Sequence, residues 1–293
     1  MTRQLSFVDI IMGLSVALLW GMGLVFAKAA LEHFPPVLLM TCRFIVTAGV
    51  LVWFVRPPWG QMRALFLIAL ISAALQYSLT FTGLKGLDAS ITALVVQLEV
   101  PFLVIIGVVA LGEVAGVRKW IGIAMAFIGV ALISGEPKVA SAWLSVLLVI
   151  GGAFTWAVGQ GMTRALKDIR GLTVTAWVAV FAVPQLAVVS LIFEENHIEA
   201  IRTAQPVVWG AVLYMGLIMT ALGYGMWYTL VRKHPISLIA PFLLMLPVFA
   251  VLGGVFFLGE ELGIRAILGG AIVIAGVAFI LVERPKPETS LPD

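Results

Sequence analysis

The sequence predicts an all-α integral membrane fold of ten transmembrane helices arranged as two inverted five-helix repeats. Three observations carry that expectation. The 293-residue chain is 62% hydrophobic and only 11% charged, where soluble proteins carry roughly 45–50% apolar and about 25% charged residues. Apolar runs of spanning length recur from end to end, and the second half of the chain repeats the first. The composition excludes a soluble enzyme domain. It also excludes disorder, which needs low hydrophobicity, collagen, which needs Gly at every third position, and a disulfide scaffold, because Cys42 is the single cysteine. The formal net charge of +3 comes from Lys and Arg scattered between apolar runs, with no basic stripe. No nucleic-acid partner is expected, and the partner implied is the lipid bilayer.

In chain order the spans fall at residues 8–27, 36–55, 64–83, 89–111, 117–134, 141–161, 172–193, 206–230, 236–258 and 264–282. Each approaches or exceeds the ~20 residues that cross a bilayer. Turn-forming or polar residues punctuate them: Pro35-Pro36, Pro57-Pro58, Gly112-Glu113, Glu136-Pro137, Arg170-Gly171, the polar stretch 194–205, and His234-Pro235. This organisation assigns residues 1–138 to the first repeat, 139–282 to the second and 283–293 to a disordered cytoplasmic tail, which holds three Pro and no apolar face.

Lys and Arg resist translocation while Asp and Glu contribute little. A cytoplasmic N-terminus leaves twelve Lys and Arg inside (Arg3, Arg56, Arg63, Arg118, Lys119 and others) against five outside (Lys28, Lys85, Lys138, Arg202, Arg265), with Arg43 inside a helix. Both termini are therefore expected in the cytoplasm, in the cell inner (plasma) membrane. The first span has Arg3 before it and Ala27-Lys28-Ala29 as a weak cleavage match. Its apolar run is too long for a signal peptide and nine spans follow, so it reads as uncleaved.

A shift of 147 residues lays 111–134 on 258–281 with 11 of 24 positions identical, and pairs Tyr77 with Tyr224 and Ser90 with Ser237. A shift of 136 pairs Trp20 with Trp156, Gly23 with Gly159 and Lys28 with Arg164. The second half thus carries eleven extra residues, most simply within the loop 194–205. Because five is odd, the second unit enters the membrane from the opposite side, and equivalent helices run antiparallel about an axis in the membrane plane. That is the inverted repeat of secondary transporters. Two oppositely inserted copies of one fold have inward-open and outward-open states of near-equal energy. The fused halves supply both sides of the axis, so a monomer is expected.

The pattern resembles the drug/metabolite transporter superfamily and, within it, the ten-helix EamA family. Residues 17–23 with the first Trp-Gly, Arg43 after Pro35-Pro36, and Gly112-Glu113 and Gly259-Glu260 with the Gly-rich helices that follow carry the resemblance, which spans residues 8–282. Within the family the chain most resembles YddG-type exporters of aromatic and other amino acids. The resemblance implies export of amino acids, metabolites or drugs without fixing the substrate. Arg43 departs from the repeat, since Ala179 occupies its shifted position; any role it has is not a symmetric one.

Charge inside a bilayer costs at least ~2.5–3.5 kcal/mol per residue, so such residues face a cavity or a partner. Two stand out, Glu99 and Arg43. Glu99 lies near mid-depth in the fourth span beside Gln97, and Pro101 lacks the N–H that would engage the Gln97 carbonyl. In the equivalent ninth span Pro241 and Pro247 free the carbonyls of Ser237 and Leu243, so interrupted helices fall at matching places in both halves. Glu99 is either a coupling or substrate-contact carboxyl or one half of a structural ion pair with Arg43. Tyr77, Trp156 with Gln160, and Tyr224 lie deep enough to line a cavity. Trp53, Trp59, Trp120, Trp143 and Trp209 sit near helix ends as an interfacial belt. Gln97, Glu99, Tyr77, Trp156, Gln160 and Tyr224 form the expected substrate-binding set. Gly13, Ala17 and Gly21, their counterparts Ala153, Ala157 and Gly161, and Gly122, Ala126 and Gly129 read as packing stripes. Met215, Met219, Met226 and Met245 read as packing too.

His33, His197 and His234 lie in loops or at helix ends and make no metal spacing, and no G-x-S-x-G or P-loop occurs. An enzyme, an ATP-driven pump, a metal and a cofactor are therefore not expected. Energy would come from the substrate's own gradient or from protons coupled through Glu99. The sequence supports a carrier that moves amino acids and related metabolites outward by alternating access. A drug or cationic-compound efflux carrier is the first alternative, and a membrane scaffold without flux the second.

Overall fold

The computed structural model describes residues 5–166, 169–234 and 236–281. Ten helices are long and apolar enough to span a bilayer: α1 Phe7–Leu31, α2 Pro36–Phe54, α3 Trp59–Lys85, α4 Ala89–Ala110, α5 Val117–Ser134, α6 Trp143–Arg164, α7 Gly171–Phe193, α8 Pro206–Trp227, α9 Pro241–Leu258 and α10 Ile264–Leu281. α8 continues as helix to Lys233, and a short turn of helix, Ile236–Ile239, leads into α9. The expected tail 283–293 lies outside the described residues. The extra loop residues of the second half hold a short helix, His197–Thr203. Even-numbered crossings bring both ends of the described chain to one side, here termed the terminal face; the other is the opposite face.

The two five-helix units interlock. α5 packs on α10, α2 on α7 and α4 on α9, each against its own repeat mate, while α3 on α6 and α8 on α1 form a mated pair of contacts. Small residues permit the closest crossing. A Cβ on Gly129 would stand 2.6 Å from the carbonyl oxygen of Gly269, and one on Gly276 would stand 2.7 Å from that of Gly122, so neither position tolerates a side chain. In the stripe of α1, Gly13 meets Phe242 and Gly21 the carbonyl of Leu246, which seats α1 against α9. Outward, large apolar groups such as Phe193, Phe256 and Val109 are exposed, as a lipid-facing surface requires. The end-of-helix tryptophans Trp53, Trp59 and Trp143 are more than half exposed.

The local irregularities repeat as well. α4 is interrupted at Gln97 and Leu98, between helical segments Ala89–Val96 and Glu99–Leu111. α9 begins with a tight 3-10 segment, Ala240–Leu244, before Met245–Leu258. α3 and α8 each contain a π-helical stretch, Leu70–Leu75 and Tyr214–Leu222, which coincide under the 147-residue shift. α4 and α9 end at Gly112 and Gly259 with φ of 67° and 66°, a left-handed conformation that an L side chain resists.

Candidate functional site

Pro101 shapes the centre of α4. With no N–H at position 101, the Gln97 carbonyl accepts from the Val100 N–H at 3.2 Å, and the helix tightens for one turn. This corrects the expectation that the Gln97 carbonyl is free: the shorter turn satisfies it. What the break exposes is side chains. Gln97 is buried at the cap of the first segment, and Glu99 opens the second, half-buried. Among the described residues neither side chain makes a hydrogen bond, and Glu99 has no ion-pair partner.

The ion pair between Glu99 and Arg43 is not formed. Among the described residues α2 packs chiefly against α3, α7 and α8, with a lesser contact to α1 and no comparable one to α4, so the two charges sit on helices that are not packed together. The Arg43 guanidinium lies over the Tyr77 ring at 4.7 Å and near that of Phe44 at 5.3 Å, a cation–π arrangement, with its Nε unpartnered. Tyr77 in turn stacks on Phe81 and meets Phe44 edge-on. Arg43 is 3% exposed, so this aromatic nest is how α2 carries a charge inside the apolar bundle.

α6 runs parallel to α4. Phe102 packs edge-on against Phe154 with centroids 5.4 Å apart, and Gly161 faces Ile106. This register places Trp156 about one turn, roughly 5 Å along the axis, from the level of Glu99. Gln160 lies a further turn toward the terminal face. Trp156 and Gln160 are half-buried, and among the described residues neither side chain is hydrogen-bonded. Trp20, the repeat mate of Trp156, behaves differently: its indole N–H donates to the Met219 carbonyl at 3.2 Å, and it packs on Tyr224 and Trp227 with centroids 5.1 and 6.0 Å apart. The π stretch of α8 presents the carbonyl that receives this bond. Tyr224 is thus part of an α1–α8 aromatic cluster, apart from the α4–α6 groups. Pro241 lies in the 3-10 turn and Pro247 is buried in the following helix, where Leu244 and Leu246 stand at the positions of Gln97 and Glu99.

Sequence reasoning missed several polar contacts at the helix ends. At the terminal face Asp9 closes a capping box with Ser6 and receives His234 at 3.0 Å and Lys233 at 3.6 Å, joining α1 to the end of α8. At the opposite face Glu194 accepts the Val37 and Leu38 N–H groups at the start of α2. There too Glu260 accepts the N–H groups of Ala89 and Ser90 at 2.6 and 3.0 Å and the Ser90 hydroxyl, capping α4 from the end of α9. The Gly-Glu dipeptide was visible as a repeated motif, but its partner 170 positions away was not.

Two antiparallel five-helix units around paired interrupted helices, with an unpaired carboxyl, amide and indole beside one interruption, define a membrane transporter rather than an enzyme. Comparison with known proteins gives the class its family. The sequence model of the EamA-like transporter family matches residues 8–135 and again 143–282, and the chain belongs to that family. It is 27% identical over 281 residues to a probable amino-acid metabolite efflux pump of Salmonella typhimurium, covering 92% of this chain and 93% of that protein. It is 26% identical over 278 residues to a protein so described in Escherichia coli, with coverage of 92% and 93%. A solved crystal structure superposes with a TM-score of 0.64 at 18% identity, over 93% of this chain and 96% of that one, a likeness of fold.

Proposed function

We propose that the protein exports amino acids and related small metabolites from the cytoplasm by alternating access, as a monomer in the inner membrane with both termini cytoplasmic. The observation that carries this reading is the interruption of α4, where Gln97 and Glu99 have no side-chain partner among the described residues and α6 brings the indole of Trp156, likewise unbonded among them, within about a turn. A carboxylate and an amide suit an ammonium group, and an indole beside apolar walls tolerates varied side chains. The likeness to two bacterial proteins described as probable amino-acid metabolite efflux pumps supports the substrate class, and the excess of Lys and Arg at the terminal face supports the orientation.

The test is counterflow of labelled phenylalanine, methionine and threonine into proteoliposomes of the purified protein, with and without a pH gradient, wild type beside Glu99→Gln. Exchange of several amino acids by wild type, reduced at least tenfold in the folded variant, is the expected result. A flux that responds to the pH gradient in wild type alone assigns proton coupling to Glu99. No exchange of any amino acid by a folded monomer overturns the reading, and exchange of cationic drugs in its place establishes the alternative substrate class.

A further inference from the structure

The two repeats share their helix order and their local irregularities, so the residues of a contact at one face, within a repeat or between the two, have mates at the opposite side of the membrane. At the opposite face Glu260, following the left-handed Gly259, reaches across to cap α4 at Ala89 and Ser90. Its mate is Glu113, following the left-handed Gly112, and the mates of Ala89 and Ser90 are Ile236 and Ser237. Among the described residues Glu113 makes no hydrogen bond to their backbone. Its carboxylate bonds instead to Arg164 at 3.3 Å, and both side chains are about half exposed. Arg164 is itself the mate of Lys28, which at the opposite face donates to the Leu84 and Lys85 carbonyls at 3.2 and 3.1 Å, closing α1 onto the end of α3. The mated acceptors of Arg164 are the Val231 and Arg232 carbonyls. Two contacts made at one face are therefore exchanged at the other for a pair between the two residues they would release.

Helix packing follows the same division. The first half of α4 packs against the second half of α9 and against α1. The mated contacts, of the second half of α4 with the start of α9 and of α6 with the start of α9, are not formed to a comparable extent among the described residues. Among the described residues α4 and α9 meet closely at the opposite face and stand apart at the terminal face, where the start of α9 packs against α1 and α10 instead.

Resting on the alternating-access reading above, we propose that Glu260, Lys28, Glu113 and Arg164 form an exchanging double latch. In the state described, Glu260 and Lys28 cap α4 and α3 and hold the opposite face shut, while Glu113 and Arg164 neutralise each other at the parted terminal face. In the alternate state the roles reverse: Glu113 caps the N–H groups of Ile236 and Ser237, Arg164 caps the carbonyls of Val231 and Arg232, and Glu260 pairs with Lys28. A charge released from a helix end thus always finds a partner, which keeps both end states accessible. A carboxylate accepting several N–H groups at a helix start binds more strongly than a solvated ion pair, so removal of either carboxylate shifts the equilibrium away from the state it caps.

The test is distance measurement by pulsed spin resonance on the full chain in lipid nanodiscs, in a Cys42→Ser background. One spin-label pair at Val114 and Leu238 reports the terminal face and one at Lys85 and Phe257 the opposite face. Glu260→Gln should enlarge the population with a short terminal-face and long opposite-face distance about five- to tenfold. Lys28→Gln should shift it the same way by less, and Glu113→Gln should deplete it. Folded variants that all shift in one direction, or not at all, overturn the latch. The readout needs no substrate, so failure of amino-acid counterflow leaves it intact, and an unmoved equilibrium in a protein that still exchanges amino acids discards the latch while keeping the transport reading.

Discussion

The interruptions of α4 and α9 share a backbone plan and differ in chemistry. Both helices break at the same register and end on a left-handed glycine. Yet α4 carries Gln97 and Glu99 where α9 carries Leu244 and Leu246, and α6 leaves Trp156 unbonded where α1 ties Trp20 to α8. Motion between two equivalent states needs symmetric backbones, because the energies of the states match only if the contacts exchanged match. Recognition of an asymmetric solute needs no such symmetry. One half carries polar groups at these positions, and the other carries apolar side chains that pack.

The largest effect comes from transplanting one interruption onto the other. Glu99→Leu, which gives α4 the residue of α9, should leave the protein folded and monodisperse, because Glu99 contributes no bond that is lost. Counterflow should fall at least tenfold, about 1.4 kcal/mol or more in the barrier. The reciprocal Leu246→Glu places a carboxylate beside the α1 crossing at Gly21, where neither α1 nor α9 carries a Lys or Arg at that depth. It should cost about 2.5–3.5 kcal/mol, read as lost folded protein in size-exclusion chromatography. Retained flux in the first variant, or normal yield of the second, would break the contrast between a binding and a packing interruption.

A smaller effect separates the two tryptophans. Trp20→Phe removes the bond to the Met219 carbonyl and should lower stability by about 1 kcal/mol, seen as a fall in the apparent Tm in detergent. Trp156→Phe removes no bond and should leave Tm unchanged while raising the half-saturation concentration for exchange. Equal losses of Tm would show that Trp156 is held as Trp20 is, and would remove it from the site.

The fold was legible because its signals are local or periodic: span length, punctuation by Pro and Gly, and a repeat of 11 identities in 24 positions. The break of α4 was legible from Pro101, which acts on its own backbone. Partners were not. Arg43 and Glu99 are the charges most isolated in apolar sequence, and a structural pair between them was one of the two readings that the sequence left open. Which helices touch is a property of the interlocked repeats, however, and α2 faces α7 while α4 faces α9. The π stretches left no mark, since the apolar periodicity of α3 and α8 differs little between 3.6 and wider turns. Glu260 capping α4 was beyond reach for the same reason as the Arg43 nest: both depend on which ends the repeat brings together.

The smallest effect lies at the closed face. Asp88 precedes α4 and lines a cavity of about 220 Å³ with Glu136, Lys138, Glu261 and Gly263. Burial pushes its pKa above the ordinary carboxylate value and the Glu260 carboxylate adds to this, with Lys28 and Lys138 opposing. A raised value in the folded state means that the protonated form is the one the closed face accommodates. The contribution of Asp88 is therefore most favourable below the ordinary carboxylate value of about 3.9 and is lost as pH rises through it toward the raised one. Asp88→Asn fixes the neutral form, and at neutral pH it should raise the apparent Tm by about 1–2 °C and flatten the decline in Tm expected of wild type as pH rises above the ordinary carboxylate value. A variant with the wild-type slope, or one less stable at neutral pH, would show that Lys28 and Lys138 already neutralise Asp88, and that the closed face is held by Glu260 without opposition.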